Sequence, residues 1–173
     1  LCGPIVSTNS LLSTSIKERN DKKSNCMRMV TSEDIALAQL EIQGLNQATL
    51  CPAQVSLSSV SREGRGFLLE IYGSDGTLVL SSSNQKDYVH GFSLWYAPSG
   101  QNLKPISPKE NLLFSTTWSD GRIAPVSRLQ DWWAESMRNR TPMIPGLNEA
   151  FSSQQVCDAM RVSSKNGQKI YID

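Results

Sequence analysis

The chain has 173 residues, of which 39% are hydrophobic and 19% charged, a composition typical of a globular protein with its own core. Seventeen basic and sixteen acidic residues leave a net charge of +1, which argues against nucleic acid or an anionic membrane as a partner. With one histidine, four cysteines and no C-x-x-C spacing, the composition also argues against a multi-histidine metal centre or a zinc ribbon.

The first residues carry no sign of a targeting segment. The chain begins with Leu1 rather than Met, and neither a basic start nor the long apolar run of a signal peptide follows. We therefore expect a piece cut or processed from a longer protein. The isolated cysteines favour reduced thiols and a cytoplasmic location. No apolar stretch approaches the roughly 18 residues of a membrane span, so we expect no membrane partner.

The first third of the chain predicts a strand, a loop and a second strand. Residues 5–16 mix Ser and Thr with aliphatic residues, as in a strand with one solvated face. Residues 17–25 are polar and of mixed charge, which predicts an exposed loop. Residues 35–42 carry apolar side chains on both faces, which predicts a strand in the interior of a sheet.

The middle of the chain predicts further strands. Residues 54–60 alternate apolar residues with Ser, the pattern of a half-buried strand. Residues 67–72 and 78–80 flank the segment 73–77, whose Asp-Gly pair indicates a hairpin. Residues 92–96 form the last candidate strand before a Pro-Ser-Gly turn.

The last third changes to helical spacing. Ser127 and Gln130 resemble a capping box, and the apolar residues after them follow a period that predicts an amphipathic helix burying both Trp132 and Trp133. A second box at Ser152 opens a further helix with small residues on one face. That helix is predicted to end at Asn166-Gly167, before a short terminal strand. Strands first and helices last predict an α+β fold, with helices on one face of a mainly antiparallel sheet.

The residues alone supply no complete active site. The sequence contains no G-x-G-x-x-G, no P-loop and no G-x-S-x-G motif. His90 has no acidic or cysteine pattern around it, which is typical of a structural or surface histidine. Arg62, Glu63 and Arg65 precede the strand at 67–72. Their guanidinium groups could bind a carboxylate or phosphate, although a solvated loop explains them as well. We predict no catalytic, metal-binding or cofactor-binding residue in this chain.

Four segments of the chain carry recognisable motifs: Val30–Asp34, Leu69–Leu78, Arg138–Pro145 and Cys157–Gly167. Taken in order, they resemble the C-terminal domain of the Gfo/Idh/MocA family (glucose-fructose oxidoreductase, inositol dehydrogenase and rhizopine catabolism). Leu69–Leu78 is similar to the family's strand–turn–strand with its Gly-Thr-Leu exit, and Cys157–Gly167 to the closing helix with Asp-Ala, Ser and Gly.

The resemblance implies a specific α+β architecture. The expected fold is that of a glyceraldehyde-3-phosphate dehydrogenase-like C-terminal domain, a large open, mainly antiparallel β-sheet with helices on one face. Residues 1–173 are then a single substrate-binding and dimerisation domain, and the N-terminal Rossmann domain that binds NAD or NADP in the family has no counterpart in this chain. By position in the family, Arg62, Glu63 and Arg65 are expected to line the substrate pocket.

The resemblance also implies partners and an activity. The expected partners are the Rossmann domain, a second copy of the chain through the open sheet face, and a small-molecule substrate such as a sugar or polyol. The family's dinucleotide fingerprint, its Glu-Lys-Pro segment and its catalytic Asp-to-His helix all precede the region that matches, and His90 does not map onto the catalytic histidine. We therefore expect an NAD(P)-dependent oxidoreductase as the parent and no activity in this chain alone. The alternative is a stand-alone or catalytically inactive binding or oligomerisation module of the same fold.

Overall fold

A computed structural model describes residues 2–44 and 49–172 of the chain. In this part antiparallel strands precede two long helices, which confirms the predicted α+β class. The strands are β1 (Ile5–Ser13), β2 (Glu18–Asp21), β3 (Cys26–Met29), β4 (Ile35–Gln43), β5 (Leu50–Ser58), β6 (Phe67–Gly73), β7 (Gly76–Ser82), β8 (Phe92–Pro98), β9 (Lys104–Ile106) and β10 (Ile170–Tyr171). The helices are α1 (Ile123–Asn139) and α2 (Leu147–Asn166), with a 3-10 turn at Glu110–Leu112. Among the described residues, neither long helix is apolar enough to cross a bilayer.

The chain divides into two compact units, one made of Leu1–Arg62 with Ile144–Asp173 and the other of Glu63–Met143. The first unit contains a four-stranded antiparallel sheet in the order β10-β1-β4-β5. As the sequence predicts, β4 lies in the sheet interior, with Ala38 and Leu40 buried on one face. Helix α2 packs on β1 and β10. Its contact face carries Val156, Ala159, Met160 and the fully buried Ser163, as expected from its small residues.

Two serines of α2 complete the hydrogen bonding of β1. Strand β10 pairs only with Ser7 and Thr8, so the N–H groups further along β1 have no strand partner on that side. The N–H of Ser10 donates to Ser163 Oγ at 2.9 Å, and that of Leu12 to Ser164 Oγ at 2.8 Å. The Ser163 hydroxyl in turn donates to the Gln168 carbonyl at 2.7 Å. The helix therefore satisfies a sheet edge that a short strand leaves open.

The second unit contains a four-stranded antiparallel sheet in the order β6-β7-β8-β9. The predicted hairpin joins β6 and β7, but Gly73 pairs with Gly76, so Ser74 and Asp75 form the turn and Gly76 lies at its edge. Helix α1 follows this sheet along the chain. Its Arg128 guanidinium donates to the carbonyls of residues 112 and 113 and lies 4.0 Å from the centre of the Phe114 ring, which ties the helix to the preceding segment.

The prediction of a loop over residues 17–25 was wrong. Residues 18–21 form β2, and the following residues form the turn that joins it to β3 in a hairpin. Its turn is held by the Asp21 carboxylate, which accepts hydrogen bonds from the Lys23 N–H and the Ser24 hydroxyl, while Asn25 takes a positive φ of 51°. Nearly all of its side chains are exposed. With no buried face, the hairpin leaves no apolar alternation in the sequence.

The predicted helix starts were also wrong, although the predicted end of α2 was confirmed. Helix α1 begins at Ile123, so Ser127 lies within it. Helix α2 begins after Gly146, whose N–H donates to the Glu149 carboxylate at 2.6 Å. It ends at Gly167 in the left-handed conformation, as the sequence predicts. In α2 the capping carboxylate is Glu149, three residues before the Ser152 that resembled a cap in the sequence.

The expectation that α1 buries two indoles was wrong. Trp132 is 44% exposed and Trp133 is 58% exposed. The buried residue of α1 is the small Ala124, and Arg128 supplies the hydrogen bonds to the preceding segment. The helical spacing correctly placed the apolar residues on one side of α1. It did not show whether other residues pack against that side.

Candidate functional site

The three residues predicted to bind substrate lie together on the connection between β5 and β6. Arg62 and Glu63 form a turn, with Glu63 at a positive φ of 54°, and Arg65 follows them. All three are exposed. Within the described part of the chain their side chains form no hydrogen bond or ion pair. No neighbouring side chain neutralises their charged groups. These groups are therefore available to bind an anion or a hydroxyl group.

Gly66 explains how this connection enters the second sheet. Its φ is 83°, and a Cβ at this position would collide with the carbonyl group of Ser82. Phe67 then pairs with Ser82 as the first residue of β6. Because the glycine brings the two backbones together, Arg65 is placed directly before the start of a paired strand.

A second group of side chains, mostly polar at one end and apolar at Leu11 and Leu37, lies on the face of the first sheet opposite the buried Leu40 and Ala38. We call it the open face. It consists of three cross-strand rows: Tyr171, Ser7, Glu41 and Pro52; Asn9, Gln39 and Gln54; and Leu11, Leu37 and Ser56.

An ion pair lies at one end of the open face. The Lys169 ammonium group is 2.6 Å from Glu41 Oε2, and the Ser7 hydroxyl donates to the same oxygen at 2.7 Å. The Lys169 ammonium is also 5.1 Å from the centre of the Tyr171 ring. The hydrogen bond from Lys169, followed by that from Ser7, lowers the pKa of Glu41, and the bond to Glu41 raises the pKa of Lys169. Both groups are therefore charged at neutral pH, and together they are neutral.

The ion pair and the amide row line a cavity of about 480 Å³. A carboxylate that is held ionised and bonded to lysine is a weak base, so this group is suited to hydrogen bonding rather than to proton transfer. The sequence analysis did not select Glu41 or Lys169. A signal was present, because Glu41 is the single charged residue in the nine residues of β4.

His90 and the cysteines show no catalytic geometry. His90 is exposed, and its backbone N–H donates to the Asp87 carboxylate at 2.9 Å. The four cysteines, Cys2, Cys26, Cys51 and Cys157, carry free thiols. The described residues contain no cluster of three His, Cys, Asp or Glu side chains able to hold a metal ion.

Comparison with known proteins identifies the family. Residues 1–172 match the family model described as the C-terminal alpha/beta domain of the Gfo/Idh/MocA oxidoreductase family. The chain belongs to that family. It is 40% identical over 159 residues to an uncharacterized oxidoreductase from Synechocystis sp., a match covering 91% of this chain and 42% of that protein.

Solved structures of similar fold include both an enzyme and a repressor. Levoglucosan dehydrogenase in complex with NADH and L-sorbose superposes with a TM-score of 0.73 at 15% identity, over 98% of this chain and 45% of that one. The super-repressor mutant of Gal80p from Saccharomyces cerevisiae gives a TM-score of 0.66 at 14% identity, over 99% of this chain and 45% of that one. The chain thus spans less than half the length of the proteins it matches.

The segments that carry the Gfo/Idh/MocA resemblance have structural tasks in this chain. Leu69–Leu78 forms most of the β6–β7 hairpin, and Cys157–Gly167 is the second half of α2 with its terminating glycine. Both serines of the last segment, Ser163 and Ser164, accept backbone N–H groups of β1.

Proposed function

We propose that residues 1–173 act as the substrate-binding and dimerisation domain of an NAD(P)-dependent oxidoreductase whose substrate is a sugar, a polyol or a related small molecule. The family match over 1–172 carries this proposal. The neighbouring dehydrogenase, solved with NADH and L-sorbose, supports the substrate class and the cofactor.

The proposed partner for hydride chemistry is an N-terminal Rossmann domain. Hydride transfer belongs to the nicotinamide cofactor, which needs a phosphate-binding strand–turn–helix. No G-x-G-x-x-G occurs among these 173 residues. We therefore assign dinucleotide binding to that domain, and to this chain the binding and orientation of the substrate. The free thiols of the four cysteines support a cytoplasmic location.

Within this function, we assign substrate binding to Arg62, Glu63 and Arg65. Their unpaired charges support the assignment, because a guanidinium group donates two parallel hydrogen bonds to a carboxylate or to vicinal oxygens. A charged hydrogen bond contributes roughly 1.5–3 kcal/mol, equivalent to about tenfold to a hundredfold in affinity.

Steady-state kinetics of the complete two-domain enzyme tests this assignment. Replacing Arg65 by Ala should raise KM about tenfold or more, whereas Arg138→Ala, on exposed helix α1, should leave both constants unchanged. Unchanged KM and kcat in Arg65→Ala would remove the arginine from the substrate site.

A calorimetric titration tests the division of labour between the two domains. NADH added to the 173-residue chain alone should show no saturable binding, and the chain should not oxidise or reduce substrate. Tight dinucleotide binding by this chain would overturn the assignment of the cofactor to a Rossmann domain.

We propose the open face as the surface that meets a second copy. Its central row consists of the exposed amides Asn9, Gln39 and Gln54, and each amide carries both donors and an acceptor. Such groups complement their own copies across a twofold axis. The Glu41–Lys169 pair adds no net charge, so two such faces can approach without repulsion.

Light scattering after size-exclusion chromatography tests the dimer. The chain should elute with twice its mass of 19.1 kDa. Gln39→Lys would bring two positive charges together at the interface and should produce monomers, whereas Gln101→Lys, in the exposed turn before β9, should not. A wild-type monomer at high concentration would refute the interface.

The alternative is a binding module without turnover. The structural similarity to the Gal80p super-repressor mutant favours this alternative, because the same fold then occurs in a protein named for repression. Detectable NAD(P)-dependent turnover by the complete protein separates the two functions: its presence supports the enzyme, and its absence with retained dimerisation supports the module.

A further inference from the structure

A second cavity lies in the first unit, beside α2 and apart from the open face. Its volume is about 430 Å³. Three cationic residues line it, Lys17 from the β1–β2 connection and Arg161 and Lys165 from α2, together with one carboxylate, Glu33. Ser13, Thr14, Thr31 and Ser164 add hydroxyl groups. We call it the basic cavity.

The arginine of the basic cavity is held in place by its neighbours. Arg161 Nε lies 3.6 Å from Glu33 Oε1, and Nη1 lies 3.0 Å from Asp158 Oδ1. These contacts use Nε and Nη1 of the guanidinium group, and its Nη2 has no partner in the described part of the chain. The group is therefore oriented before any ligand arrives, which reduces the entropy cost of binding.

The remaining donors are available to a ligand. The ammonium groups of Lys17 and Lys165 pair with no carboxylate among the described residues. Ser164 Oγ accepts the N–H of Leu12, which fixes the oxygen and leaves its O–H to donate. Lys165 lies in the last turn of α2, where a positive charge interacts favourably with the helix dipole. Lys17 lies in the β1–β2 connection and is not part of that helix. Stabilisation of the helix therefore does not explain why the two lysines share one cavity.

We infer that the basic cavity binds a small molecule through a phosphoryl group. Lys17, Arg161 and Lys165 outnumber the carboxylates of Glu33 and Asp158 by one positive charge. Together with the preoriented guanidinium group and a hydroxyl donor, that excess matches a group that carries about −1.5 to −2 charges at neutral pH and three acceptor oxygens. The site lies in the first unit, and its ligand is independent of the oxidoreductase activity proposed above.

Titration of the 173-residue chain with inorganic phosphate, at constant ionic strength maintained with chloride, tests this site by calorimetry or by NMR. Saturable binding is expected for the wild type. The double variant Lys17→Gln with Lys165→Gln should weaken it at least tenfold. The matched control, Lys22→Gln with Lys23→Gln in the exposed β2–β3 turn, loses the same charge and should bind as the wild type does.

Three outcomes would overturn the inference. Phosphate could produce no more change than chloride, or both double variants could weaken binding equally, in which case the effect is general screening. Stronger binding of succinate than of phosphate would replace the phosphoryl group by a dicarboxylate. Melting temperatures of the variants show that they fold, and because neither cofactor nor turnover is measured, failure here leaves the proposed oxidoreductase function unaffected.

Discussion

The two long helices differ in how they use similar sequence patterns. In α2 the face toward the sheet carries Val156, Ala159 and Met160, and Ser163 in the last turn is fully buried and hydrogen-bonded on two sides. In α1 the largest apolar side chains, Trp132 and Trp133, remain about half exposed. A small side chain lets a helix lie close to the sheet, and the residue there must then satisfy the hydrogen bonds of the nearby backbone groups. An apolar stripe needs no hydrogen-bond partner in a defined direction, because the hydrophobic effect is not directional.

The largest effect should follow the loss of the Ser163 hydroxyl. Ser163→Ala removes the acceptor of the Ser10 N–H and the donor to the Gln168 carbonyl, two hydrogen bonds made by one fully buried hydroxyl. We expect the free energy of unfolding to fall by about 2 kcal/mol. Denaturant unfolding followed by circular dichroism measures it.

Ser152→Ala provides the matched control, because Ser152 is exposed on the same helix. Its free energy of unfolding should change by less than about 0.5 kcal/mol. Equal losses in the two variants would mean that helix propensity, and not the bond to β1, determines the stability that α2 provides.

A smaller effect, visible only with pH, is expected at Asp34 in the same unit. Its side chain is nearly buried, and its carboxylate accepts the N–H groups of Ile16 and Ser15, which lower its pKa below the ordinary 3.8. The stabilisation is complete above pH 3.8 and is lost as the pH falls through the lower folded-state pKa. Acid unfolding of Asp34→Asn should therefore show a weaker pH dependence than the wild type in that range.

Asp131→Asn on α1 is the control for this titration, since the described structure gives Asp131 no hydrogen-bond partner. It should retain the wild-type pH dependence. If both variants follow the wild-type curve, the two backbone bonds to Asp34 do not stabilise the folded state.

The sequence predicted the features that depend on local pattern. Strand β4 lies between β1 and β5, as its apolar pattern predicted, and Gly167 follows α2 in the left-handed conformation that its residue type predicted. The β2–β3 hairpin escaped prediction because it has no buried face. The Glu41–Lys169 pair joins residues far apart in the chain, and the sequence around either residue does not indicate its partner.

Among the candidate sites, only the loop of Arg62, Glu63 and Arg65 could be selected from the sequence, because its residues are neighbours in the chain, and its role in substrate binding stays a prediction. The open face and the basic cavity were not predictable in this way, because strand register and the position of α2 bring their residues together. The helical spacing of apolar residues likewise shows which side of α1 is apolar, but not whether other residues pack against that side.

The smallest effect is expected at Trp133, and it tests the comparison of the two helices most directly. A fully buried tryptophan replaced by alanine costs about 3–5 kcal/mol, whereas an exposed one on a helix costs little, because alanine also favours the helix. Trp133→Ala should therefore change the free energy of unfolding by less than about 1 kcal/mol, and Trp95→Ala, in strand β8 and 36% exposed, should lose more. A loss above about 3 kcal/mol at Trp133 would mean that α1 is covered in solution as thoroughly as α2, and the contrast between a helix held by hydrogen bonds and a helix with an open apolar stripe would fail.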